Sequence, residues 1–161
     1  MYNILISGYY GFNNIGDESI LRTVIDNLRE KLPQVDITVL SQSPAQTAEK
    51  YGVKAAARMN PWAILRSVRR CDMLLSGGGS LLQDATSGRS ILYYLFILRL
   101  AQLMGKRTFI YSQGIGPIFS ARNRRFTAFV LRRTDGIVVR DSKSRDLLLE
   151  LLSLIHISEP T

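Results

Sequence analysis

The chain lacks most of the residues that anchor a protein by covalent or metal chemistry. Its one cysteine, Cys71, excludes an intrachain disulfide and accords with a reducing, cytoplasmic setting. At the head of an apolar run, Cys71 reads as structural. There is a single histidine, His156, and His, Cys and carboxylates nowhere gather at ligand spacing, so no metal site is expected. No basic leader precedes the first apolar run, which argues against a secretory signal. No apolar run is long enough to span a bilayer. The most hydrophobic, SILYYLFILRLAQL at Ser90–Leu103, is too short and is interrupted by Arg99. It reads as a helix buried between a sheet and a second layer, with docking against another domain or a bilayer surface as the alternative.

Acidic residues are also scarce: 13 Asp and Glu against 21 Lys and Arg leave a net charge of +8. The cations cluster at Arg66, Arg69 and Arg70, and again at Arg122, Arg124, Arg125, Arg132 and Arg133. No nucleic-acid-binding motif accompanies them, so nucleic acid is not the expected partner. An anionic substrate, peripheral contact with an anionic membrane, or a merely solvated basic face each fits the charge.

What is present is a regular α/β alternation. With 46% apolar residues, 161 residues make one folded domain's worth, without internal repeat or low-complexity linker. Short apolar segments predict strands at Asn3–Ser7, Asp36–Leu40, Met73–Ser76, Thr108–Tyr111 and Gly136–Val139, with a weaker one at Val53–Ala56. Helical patterns lie between them at Asp17–Lys31, Ala45–Tyr51, Pro61–Arg70, Ser90–Met104, Ala121–Arg132 and Ser142–Leu152. Repeated β-α units of this length predict a doubly wound parallel sheet with right-handed crossovers.

Such folds bind ligands at the carboxyl ends of their strands, and four loops here suit that edge. The first follows Ser7 and carries Gly11, Asn13, Asn14, Gly16 and Asp17. Gly11 and Gly16 have the gap of a P-loop, but Asp17 and Glu18 stand where Lys and Ser/Thr are required, and the dinucleotide glycine spacing is absent too. A polar loop able to hydrogen-bond sugar hydroxyls remains; equally, Asn14 or Asp17 serves only to cap the helix. The second loop, Gly77-Gly78-Gly79-Ser80 with Gln83 and Asp84 behind it, lets backbone N–H groups approach a ligand. The third is Ser112-Gln113-Gly114-Ile115-Gly116-Pro117. The fourth is Arg140-Asp141-Ser142, with Ser142 as the expected N-cap. Arg140 there suits a carboxylate or phosphate, or an ion pair with Asp141 or Asp17.

GYYGFNNIGDESIL, LLSGGGSLLQD, YSQGIGP and VVRDSKS, in this order and spacing, resemble the polysaccharide pyruvyl transferase family over residues 3 to 150. The resemblance implies a Rossmann-like N-terminal half (residues 1–152) of a GT-B-like architecture, its site in a cleft shared with a C-terminal domain that contributes basic residues and a histidine. It implies transfer of the pyruvyl group of phosphoenolpyruvate to two hydroxyls of a cell-wall or extracellular polysaccharide sugar, forming a cyclic ketal without a separate cofactor. The acceptor would be a lipid-linked or polymeric glycan, which places the enzyme in the cytoplasm or at the inner membrane face. On this reading Arg140 belongs to the cationic cage for the donor and Asp17 positions or deprotonates an acceptor hydroxyl. Asn13, Asn14, Gln83 and Gln113, with Gly11, Gly16, Gly77, Gly78, Gly79 and Gly114, line the substrate site. Residues 153–161 change character and are expected to be non-native or disordered; His156 lies there and is assigned no catalytic role. Two other functions remain open: a GT-B glycosyltransferase using a sugar nucleotide, and a non-enzymatic module that binds anions or glycans.

Overall fold

A computed structural model describes residues 1–77, 79, 81–85 and 88–158, with Ser112 and residues 153–158 described by backbone alone. Six strands and six helices alternate: β1 (Tyr2–Ser7), α1 (Ile15–Lys31), β2 (Val35–Ser41), α2 (Pro44–Tyr51), β3 (Lys54–Ala57), α3 (Pro61–Arg70), β4 (Met73–Gly77), α4 (Gly88–Leu103), β5 (Arg107–Gln113), α5 (Ala121–Arg132), β6 (Gly136–Val139) and α6 (Ser142–Ser158). The strands form one parallel sheet in the order β3-β2-β1-β4-β5-β6, the doubly wound pattern anticipated from the alternation. The chain reverses direction across the sheet between β1 and β4, and all six strands end at one edge.

The strand period of two divides the interior between the two faces. In β1, Ile4 and Ile6 pack with Leu21, Val24 and Ile25 of α1, while Leu5 joins the core built with α4 and α5. The second core is the larger, and α4 supplies Ile91, Tyr94, Leu95, Ile97, Leu98 and Ala101 to it, all buried. Burial of α4 is nonetheless one-sided: Phe96 and Leu103 are exposed on its outer face. Helix α6 runs to Ser158, past the expected end at Leu152, because the spacing of Leu147, Leu148 and Leu151 continues through the following apolar residues. The expected cap of α6 needs correction. Asp141, not Ser142, takes that position, its carboxylate accepting from the Ser144 N–H at 2.8 Å. An ionised carboxylate suits the positive end of the helix better than a hydroxyl does.

Candidate functional site at the carboxyl edge

The first loop is held from two sides. Asn14 caps α1, its side chain accepting from the Asp17 N–H at 3.2 Å. Gly11 has φ +88°, and any Cβ there would strike the Ser41 hydroxyl and the Ser43 N–H at the end of β2. Ser43 Oγ in turn donates to the Gly11 carbonyl at 2.9 Å. Asn13 is the one non-glycine residue with positive φ among the described residues, at 60°. This conformation costs an ordinary side chain about 1 kcal/mol or more and is tolerated best by Asn. Asn13 opens onto a cavity beside Glu18, Arg22 and Tyr51.

The loops converge. Tyr10 OH donates to the Gly77 carbonyl at 3.1 Å, joining the first loop to the end of β4. Gly114 N–H donates to the Gly79 carbonyl at 2.7 Å, and Arg140 N–H to the Gln113 carbonyl at 3.1 Å, extending the chain of bonds across β5 to β6. Asp17 lies at the centre: its Oδ1 would be 3.0 Å from a Cβ on Gly79, which has φ +76° and so depends on glycine. Burial, reinforced by the charge of Glu18, raises the Asp17 carboxyl above its usual pKa. Gly16 sits in the first turn of α1 and Gly77 ends β4; Gly78 and Ser80 lie outside the described residues.

The remaining residues expected at the site divide by task. Gln83 accepts from the Ala85 N–H at 2.8 Å and so shapes its own turn. Its neighbour Asp84 accepts from Phe119 N–H, Ser120 N–H and Asn123 Nδ2 at 2.6, 3.0 and 3.0 Å, fastening the second loop to the start of α5. Desolvation opposes the charge on Asp84, but those bonds outweigh it and hold the carboxyl below its usual range. Gln113 is fully buried at the end of β5; its Oε1 accepts from Ser76 Oγ at 3.3 Å and its Nε2 has no partner. Arg140 is half exposed and approaches Asp141 at 3.5 Å, so the ion pair weighed against a ligand role does form, with Asp141 as partner.

Two residues at this edge escape a reading by motif. Tyr10 is buried, and burial followed by the charge of Asp17 pushes its phenol far above the usual value, so it serves as a neutral donor. Arg58 follows β3 directly, with its guanidinium 5.1 Å from the ring centre of Phe12 and 4.5 Å from that of Tyr93. It donates to Tyr94 OH at 3.1 Å, and its Nε is buried without a partner. Beside it Tyr9 and Phe12 stack at 4.0 Å, an aromatic platform at the mouth of the first loop. The doubled aromatics of Gly8-Tyr9-Tyr10-Gly11-Phe12 are the sequence signal for this platform; Arg58 has none.

A cavity of about 590 Å3 lies at the opposite edge, among the strand starts Asn3, Asp36 and Lys54 and the α3 residues Arg66 and Arg70. Two of its polar groups are paired, Lys54 with Asp36 at 2.7 Å and the Asn3 N–H with Asp72 at 2.8 Å. The carboxyl edge gathers left-handed backbone at Gly11, Asn13, Gly79 and Gly116 with unpartnered buried polar atoms on Ser7, Glu18, Arg58 and Gln113; the amino edge has left-handed Gly52 and Gly105 at helix ends and unpartnered Gln102 Oε1. Strained backbone clusters at functional sites, and buried polar groups without partners need a reason.

The family model described as polysaccharide pyruvyl transferase matches residues 14–157, most of the chain. The chain belongs to the polysaccharide pyruvyl transferase family. The match takes in the Asp17, Gly79, Gly114 and Arg140 segments that meet at this edge. Among solved structures, the TrkA-N domain of the inner membrane protein ybaL from Escherichia coli is similar at a TM-score of 0.51 and 12% identity, over 94% of this chain and 96% of that one. This likeness shows the Rossmann-like fold alone. A search of curated proteins finds no match. Among the described residues no three His, Cys, Asp or Glu side chains gather as a metal-binding group, and no helix is long and apolar enough to cross a membrane.

Proposed function

We propose that this pyruvyl transferase domain takes its pyruvyl group from phosphoenolpyruvate and transfers it to two hydroxyls of a polysaccharide sugar. Protonation of the donor's methylene carbon creates an oxocarbenium-like centre at its neighbour. One sugar hydroxyl attacks that carbon and gives up its proton; the carbon–oxygen bond to phosphate then breaks, and the second hydroxyl closes the ketal. The net products are the pyruvyl ketal and inorganic phosphate. The chemistry needs a proton donor, a base for the hydroxyls and cations facing carboxylate and phosphate. Arg140 contributes to the cationic side. Asp17 acts on the acceptor: a carboxyl whose pKa is raised by burial is a better base for a hydroxyl than an ordinary one. Tyr9 and Phe12 offer a flat apolar face against which a sugar ring can lie.

The observation that carries this reading is the placement of Asp17 against Gly79, in a family-matched segment and within the same bonded cluster of loops as Arg140. A two-domain GT-B-like arrangement would divide the site, with further basic residues and a histidine from a C-terminal domain. The assay therefore uses residues 1–152 joined to such a domain. With phosphoenolpyruvate and a glycan acceptor, it should release phosphate and ketal in equal amounts, the ketal identified by mass. The 161-residue chain alone is expected to turn over negligibly, since half a cleft cannot hold converging groups around the donor. Product formed only with a sugar nucleotide would instead favour a glycosyltransferase.

A further inference from the structure

The outer surface of α3 and α4 has no role in this reading and an unusual make-up. On α3 the solvent-facing stripe is Trp62, Leu65, Arg66 and Arg69, at helical spacing; Trp62 is 72% exposed. On α4 Phe96, Leu100 and Leu103 take the outward stripe, and Phe96 and Leu103 are 60% and 68% exposed. The two stripes adjoin across a groove of about 320 Å3 lined by Pro61, Ile64, Tyr93, Phe96 and Leu100. A helix apolar on its inner face and again on its outer face does not suit water on the second.

Charge selects what covers this surface. Residues 50–71 hold six basic residues and no acidic one; residues 85–134 hold nine basic residues and no acidic one. Among the described residues no carboxylate pairs with Arg66, Arg69 or Arg70. The opposite helical layer differs, since α1 alone carries Asp17, Glu18, Asp26 and Glu30. A two-fold pairing of the α3–α4 surface with a second copy would set these arginines against one another. Exposed tryptophan and aliphatic side chains bordered on α3 by Arg66 and Arg69 match the boundary between lipid headgroups and acyl chains in an anionic leaflet.

We propose that the α3–α4 surface is a membrane-docking face for an anionic bilayer, Trp62, Phe96 and Leu103 entering the acyl boundary and Arg66 and Arg69 meeting lipid phosphates. This goes beyond the transfer reaction and does not depend on it.

The chain holds a single tryptophan, so emission reports on this face directly. The purified chain is mixed with vesicles of phosphatidylglycerol and phosphatidylcholine in equal parts, or of phosphatidylcholine alone. Co-sedimentation and a blue shift of Trp62 emission are expected with the anionic vesicles, and binding about tenfold weaker or less with the neutral ones. Raising salt should release the protein. Substituting Arg66→Ala with Arg69→Ala should cut partitioning by about tenfold or more, with unchanged helical circular dichroism because both side chains are exposed. Equal binding to both vesicles, or none to either, overturns the proposal. A dimer in sedimentation that disperses on Phe96→Ser, with no vesicle binding, assigns the face to a second copy and overturns it too.

Discussion

The two edges of the sheet are made from the same strands and differ in how many buried polar atoms lack a partner. Among the described residues these are Gln102 Oε1 beside Thr108 at the amino edge, against atoms of Ser7, Glu18, Arg58 and Gln113 at the carboxyl edge. At the amino edge Lys54 meets Asp36, the Asn3 N–H meets Asp72, and the Thr108 N–H meets Asp135 at 2.8 Å. At the carboxyl edge Gln113 and Ser7 are buried with atoms unpartnered, and Asp17 is held in surroundings that disfavour its charge. The carboxyl edge gives up some stability in groups left buried without partners or held against their charge. The amino-edge cavity sets the Lys54–Asp36 pair beside Arg66 and Arg70 of α3.

The sharpest way to break this contrast is Arg140→Ala in the two-domain protein proposed above. Initial rates of pyruvyl transfer should fall at least tenfold, since a charge-assisted contact is worth roughly 1.5–3 kcal/mol. The unfolding midpoint should not move, because the side chain is 47% exposed and its contact with Asp141 is superficial. A wild-type rate would reduce Arg140 to a partner of Asp141.

Asp84 sharpens the contrast from within the carboxyl edge, as a residue there that serves the fold. Asp84→Ala leaves three donors without their acceptor and should lower unfolding free energy by about 1–3 kcal/mol in urea titrations. Its folded pKa is lowered, so this contribution is present above the ordinary carboxylate value and is lost as pH falls through the folded one.

Asp17 should behave oppositely. Its pKa is raised by burial and by Glu18, so the folded state holds the proton more tightly than the unfolded chain. Stability therefore falls as pH rises from the ordinary carboxylate value through the raised one, and the cost is fully present at neutral pH. Asp17→Asn should unfold at a higher temperature than wild type at neutral pH, with the gap closing on acidification, while transfer is lost. Equal melting at all pH values would show Asp17 to be ordinary. The smallest effect belongs to Lys54→Ala at the amino edge, where the lysine is 71% exposed: a change within about 0.5 kcal/mol and no change in transfer.

Much of this was legible in the sequence. Short apolar runs and their spacing placed all six strands and the sheet's class, because strands buried on both faces of a parallel sheet read as near-continuous apolar runs. The loops carrying Gly11, Gly79, Gly114 and Arg140 were found at the strand ends by their glycines and polar residues. The division of labour within them was not legible. Gln83 and Asp84 are neighbours in a polar turn, yet both accept backbone N–H groups, and only folded geometry decides which side chains face each other. Gln113, expected at the substrate site, lies wholly buried at the end of β5. Arg58 carries no motif at all; its importance comes from Phe12 and Tyr93, far off in sequence, closing around it.

The claim that the carboxyl edge is the ligand site can be tested on the isolated chain by NMR titration with phosphoenolpyruvate. Backbone amide shifts should move at Gly11, Asn13, Asp17, Gly79, Gly114 and Arg140, and stay fixed at Asn3, Asp36, Lys54 and Arg70. Shifts confined to the second group would place the ligand in the amino-edge cavity and contradict the account.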